Sequence, residues 1–97
     1  MERNEVYQRI DTERDYQDLR WDSEKNDGAY DNEKDVAEWI NYIEYHIHAA
    51  KNQIYNSDKE EALAHIRKIA ALSIRTMEVH GCPKRVIPKE LIKEKLK

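Results

Sequence analysis

Val36-Ala-Glu-Trp-Ile-Asn-Tyr-Ile-Glu-Tyr-His-Ile-His-Ala-Ala-Lys-Asn-Gln-Ile-Tyr55 decides the fold. Val36, Ile40, Ile43, Ile47, Ala50 and Ile54 recur in alternating steps of four and three, the period of a helix with one apolar seam. Trp39, Tyr42 and Tyr45 flank that seam, giving a surface wide enough for two helical partners or a subunit contact. Asp31 or Asn32 is placed to cap this helix, with Glu33 and Asp35 near its positive end. The helix stops near Tyr55-Asn56. Ser57-Asp-Lys-Glu60 then reads as a capping box opening the next helix.

That next helix carries Ala62, Leu63, Ile66, Ile69, Ala70, Ser73, Ile74, Met77 and His80, and Gly81 ends it. The short link makes the two helices an antiparallel hairpin. Ala70, Ala71 and Ser73 are small enough to let another helix approach closely. Upstream, a helix from about Arg3 to Trp21 packs across the hairpin. A polar connector over residues 22–31 follows it, with a turn at Asn26-Asp27-Gly28. Beyond Pro83, Pro88 sits in the first turn of a short helix that buries Leu91, Ile92 and Leu96.

The expected fold is therefore all-α: a three-helix core, with the first helix packed on an antiparallel hairpin, plus a short C-terminal helix. A helical core domain spans residues 1–82, and a basic helix or tail spans 83–97. A chain of 97 residues closes only a marginal core alone, so a homo-oligomeric bundle is expected.

Composition supports helices. There are only two Gly and two Pro, too few for the turns of an all-β fold. The net charge of −3 argues against general DNA or RNA binding. Charge is uneven: the first third is acidic, whereas Lys84 to Lys97 holds six basic and two acidic residues. The single Cys82 excludes an internal disulfide framework and has no His or Asn constellation that would make it a nucleophile. With no apolar signal segment or spanning run, the expected setting is the cytoplasm, without membrane contact.

Chemistry concentrates in Thr12-Glu-Arg-Asp-Tyr-Gln-Asp-Leu-Arg-Trp21. Val6, Ile10, Glu13 or Arg14, Gln17 and Trp21 share one helical stripe, apolar at its ends and charged in its middle. Buried charge needs partners, so this stripe reads either as an ion-pair network between helices or as the wall of a ligand pocket. Tyr7, Tyr16, Trp21, Tyr42 and Tyr45, interleaved with Arg14, Arg20, Arg67 and Arg75, offer flat faces for a base and forks for phosphate.

Metal chemistry has weaker footing. His46 and His48 are two apart and diverge on a helix, and His65 and His80 stand on separate turns. The second helix could offer Glu38 with Asp35 to a cation, but the third lacks a matching acid one turn after Glu61, and Glu33, Asp35, Glu60 and Glu61 are explained as acids at helix N-termini. There is no phosphate-cradling glycine loop, no Cys-x-x-Cys and no His-Glu-x-x-His.

Glu13-Arg-Asp-Tyr-Gln-Asp-Leu-Arg-Trp21 resembles the Glu-Arg-x-x-Gln-Asp-x-x-Trp signature of small phage-encoded MazG-like proteins, relatives of the all-α nucleotide pyrophosphohydrolases. The likeness continues more loosely through Glu38–Tyr45, Glu61–Leu72 and Met77–Gly81, covering most of residues 5–81. Active members resemble one another in Glu-Glu-x-x-Glu and Glu-x-x-Asp motifs that bind Mg²⁺ beside a triphosphate. This chain departs from both: its acids around Glu33 to Glu38 are spaced differently, and Ala64 and His65 follow Glu61 where an acid is expected. The resemblance implies a nucleotide-sized pocket more strongly than catalysis.

The preferred reading is non-catalytic binding of a small nucleotide, with no cofactor, in a homo-oligomer. In a phage, the role would be to sequester a nucleotide signal of host immunity within the host cytoplasm. Arg14, Gln17 and Trp21 form the expected pocket wall, Tyr16, Arg20 and Tyr42 its rim, and Arg67 the phosphate partner. The enzyme alternative is a divergent Mg²⁺-dependent pyrophosphohydrolase with Glu13, Asp35, Glu38 and Glu61 as ligands. A third reading is a protein-only module inhibiting a host factor through an exposed Trp39, Tyr42 and Tyr45 surface.

Overall fold

The computed structural model describes residues 1–21 and 33–96, with side chains through residue 92. Four helices follow in order: α1 (Arg3–Trp21), α2 (Val36–Tyr55), α3 (Lys59–His80) and α4 (Lys89–Leu96). No strand occurs among the described residues, and no helix there is long and apolar enough to cross a membrane. The expected connector over 22–31, the caps at Asp31 or Asn32 and the Leu96 side chain lie outside the described residues.

α2 and α3 form the hairpin, and α1 packs on α3. The α2 cap is Asp35, whose side chain accepts from the Glu38 amide at 2.8 Å while the Glu38 carboxylate accepts from the Asp35 amide. At the hairpin turn the expected capping register moves by one residue. Ser57 does not open α3; it stands at φ 62 as the left-handed residue that closes α2. Its amide donates to the Ile54 carbonyl, and the Asp58 amide donates to the Gln53 carbonyl at 2.8 Å, the paired bonds of a Schellman end. Asp58 then caps α3 by accepting from the Glu61 amide. Glu60 and Glu61 both satisfy the spacing rule, one for Ser57 and one for Asp58, so sequence alone fits either register.

Gly81 ends α3 at φ 95 with its amide on the Met77 carbonyl. At the same end of the hairpin, His80 Nε2–H donates to the Lys34 carbonyl at 2.9 Å. Two half-buried hydroxyls in α3 are satisfied within the helix, Ser73 on Ile69 and Thr76 on Leu72.

Among the described residues the buried apolar members are Trp39, Ala50, Ala62 and Ala71, and Ala71 is fully enclosed. Two expectations fail here. The inner face of α2 is formed by Trp39, Ile43, His46, Ala50 and Gln53, while Val36, Ile40, Ile47 and Ile54 of the expected seam are exposed. Leu91 and Ile92, expected to be buried by α4, are also exposed. α1 inverts its own stripe: Val6 and Trp21 at the ends face solvent, and Glu13 and Arg14 in the middle are buried.

Candidate functional site

Buried charge on α1 is met from α3. Arg14 uses all three guanidinium nitrogens: Nε donates to Glu78 at 3.1 Å, Nη1 to Gln17 at 3.4 Å and Nη2 to Asp18 at 2.8 Å. Nη2 also lies 2.9 Å from Glu78, whose carboxylate is 3.7 Å from Arg75. Beside Arg14 in sequence, Glu13 accepts from Arg67 Nε at 2.6 Å. The ion-pair network expected of the stripe is therefore present. Arg14 and Gln17 are engaged in a network that fixes α1 on α3, and a cavity of about 700 Å³ lies beside that network.

α1 contributes Glu13, Arg14, Tyr16, Gln17, Asp18, Arg20 and Trp21 to the cavity wall. α2 contributes Trp39, Tyr42 and His46, and α3 contributes Lys68, Leu72 and Arg75, with Lys34 from the segment before α2. Arg14, Tyr16, Gln17, Arg20, Trp21 and Tyr42 thus line one cavity. Arg67 is not in this wall; its guanidinium serves Glu13 instead. Lys34, Lys68, Trp39 and His46 were not foreseen as wall residues. Lys68, Leu72 and Arg75 follow the i, i+4, i+7 spacing of one helical face, a signal that could have selected them.

The wall has an aromatic part and a cationic part. Trp39 meets Tyr42 edge-on with ring centroids 6.4 Å apart, and Lys34 Nζ sits 5.5 Å from the Trp39 ring centre. The Arg20 guanidinium lies 5.3 Å from the Trp21 ring centre. Among the described residues, five basic side chains line the space against two carboxylates, and those two already face Arg14 and Arg67. Trp39 is 4% exposed, which removes it from the exposed aromatic surface expected for a protein-only module. Its Nε1 is buried without an acceptor among the described residues, an arrangement that costs about 1–3 kcal/mol.

His46 closes the floor. Its Nδ1 lies 3.0 Å from Nδ1 of His65 on α3, so one ring supplies the hydrogen and the other the lone pair. Burial, then the neighbouring His65 and Lys68, hold His46 below the ordinary imidazole range, with Glu13 opposing. The Tyr45 ring packs edge-on against it at 5.1 Å.

The four carboxylates of the enzyme alternative stand apart in role. Glu13 is paired with Arg67, Asp35 and Glu38 form the α2 cap, and Glu61 lies 3.8 Å from His65 at the start of α3. Among the described residues, no three His, Cys, Asp or Glu side chains are grouped to hold a metal ion. Comparison with known proteins returns no matching family model, no matching curated protein and no matching solved structure.

Proposed function

We propose that this protein binds a small nucleotide in the cavity between α1, α2 and α3 and holds it without turnover. The observation that carries the reading is the joining of aromatic rings to an excess of basic side chains around about 700 Å³, in a chain of net charge −3. An aromatic base suits Trp21, Tyr16 and Tyr42, and an anionic group suits the side of Lys68 and Arg20. Arg14 acts as a fixed part of the wall, because its nitrogens are already engaged. Arg67, engaged with Glu13, is replaced by Lys68 as the phosphate partner. The Glu-Arg-x-x-Gln-Asp-x-x-Trp resemblance supports the same ligand class. In a phage, such binding would withdraw a nucleotide signal from host defence.

The test is a thermal-shift series with linear and cyclic nucleotides, with and without Mg²⁺, followed by recovery of the ligand from denatured protein. A true ligand at a hundredfold excess over its Kd stabilises the fold by about 2.7 kcal/mol and is recovered unchanged. Absence of a shift with every nucleotide defeats the proposal. Mg²⁺-dependent release of pyrophosphate, abolished by Glu38→Gln, replaces it with the enzyme reading.

A further inference from the structure

The outer face of the α2–α3 hairpin is apolar and uncovered. Ile40, Ile47 and Ile54 stand at seven-residue intervals along α2, and 47%, 39% and 59% of their surfaces are exposed. Beside them, Leu63 and Ile66 of α3 are also more than half exposed. Ile47, Ala50, Ile54, Ala62, Leu63 and Ile66 line one groove between the helices, with Lys51 and Lys59 at its rim. A heptad ladder of β-branched residues is the pattern of a helix that meets another helix along its length.

Charge along the rim identifies what that other helix is. Glu44 and Lys51 are both exposed, and each stands four residues after a rung of the ladder, Ile40 and Ile47 respectively. They are one heptad apart on the same edge, about 10.5 Å along the axis. In an antiparallel pairing with its midpoint near Ile47, each Glu44 comes level with the other copy's Lys51. That midpoint, between Ile47 and His48, brings Ile40 to within one residue of the other copy's Ile54 and Ile47 to within one residue of its own image. The edge is thus complementary to its own two-fold image, and residues at this flanking position face one another in antiparallel helix pairs.

We infer that a second copy of this chain covers the outer α2–α3 face about a two-fold axis near Ile47, closing a four-helix bundle from two hairpins. The cavity between α1, α2 and α3 is lined from α2 by Trp39, Tyr42 and His46, none of which lines this groove, so this association does not depend on what the cavity binds. The dimer adds the exposed isoleucines and leucine of this face to an interior whose described buried apolar side chains are Trp39 and three alanines.

Sedimentation equilibrium over about 1–100 µM protein tests this directly. The unaltered chain forms a dimer. Ile47→Asp renders it monomeric with its helical circular dichroism retained. Glu44→Lys and Lys51→Glu place like charges level across the axis, and each raises the dimer Kd about tenfold. The double reversal restores the Kd to within about twofold of the starting value, which no merely destabilising pair of changes would do. Should Ile47→Asp fail to fold, the two exposed charge positions still decide the matter. A chain monomeric throughout the range, or a double reversal no tighter than the single ones, overturns the inference.

Discussion

Where α1 meets α3, contact is ionic: Arg14 reaches Glu78, and Glu13 receives Arg67. Where α2 meets α3, the junction is built from alanines and a histidine pair, with Ala50 and Ala62 both buried. The two junctions share one central helix and divide the labour between them. Small residues bring backbones close and leave little space, whereas a guanidinium with carboxylates fixes orientation while holding the helices far enough apart for a cavity. A buried ion pair contributes little net stability but strongly penalises the loss of one partner. The ionic side is therefore the brittle side.

The largest effect expected from that contrast is at Arg14. Arg14→Leu leaves Glu78 and Asp18 without their shared cation, and the half-exposed carboxylates recover only part of the loss. Urea unfolding should report a cost of about 3 kcal/mol. A loss within the range of an exposed pair, about 0–1 kcal/mol, would show that α1 is held by something other than this network.

A smaller effect sharpens the other junction. His46 in the folded chain sits below the ordinary imidazole value of 6.5, from burial first and then from His65 and Lys68, against Glu13. The unfolded chain therefore takes up this proton first. Stability from the neutral histidine is complete above about pH 6.5 and declines as pH falls below it. The slope stays shallow, because His46 is only partly buried. His46→Asn should flatten it in unfolding curves compared between pH 7 and pH 5; an unchanged slope would assign the acid sensitivity to other groups.

The smallest effect touches the hairpin turn alone. Ser57 adopts φ 62, a conformation that glycine enters without steric cost. Ser57→Gly should stabilise the chain by about 0.5 kcal/mol in the same assay. It should leave the Arg14 penalty unchanged, since the two sites share no partner. Non-additivity between them would mean that the junctions are coupled through α3.

Much of this architecture is legible in the chain itself. Arg3 and Trp21 bound α1 as their pattern indicates, and Gly81 ends α3 because a left-handed φ is needed there. The rotation of α2 is not legible. Apolar periodicity at Ile40, Ile47 and Ile54 reports a stripe that avoids water, but not which molecule covers it. Trp39, His46 and Gln53 turn inward instead, and the partner of His46, His65, stands on the next helix. The site divides similarly. Arg14, Gln17 and Trp21 lie on one helix, so spacing alone brings them together. His46 reaches the cavity only through tertiary packing, and the shared face of Lys68, Leu72 and Arg75 is legible as a face but not as the one that meets the cavity. Arg67 and Lys68 are adjacent cations, and helix rotation decides which one faces the space.

Trp21 and Trp39 are the chain's two tryptophans, and both line the same cavity, one largely open to water and the other enclosed. Their intrinsic fluorescence is thus a label already installed at an exposed and a buried point of the cavity wall. A stacked base would quench the outer indole first, and a change at the inner one would report that the guest had gone deep.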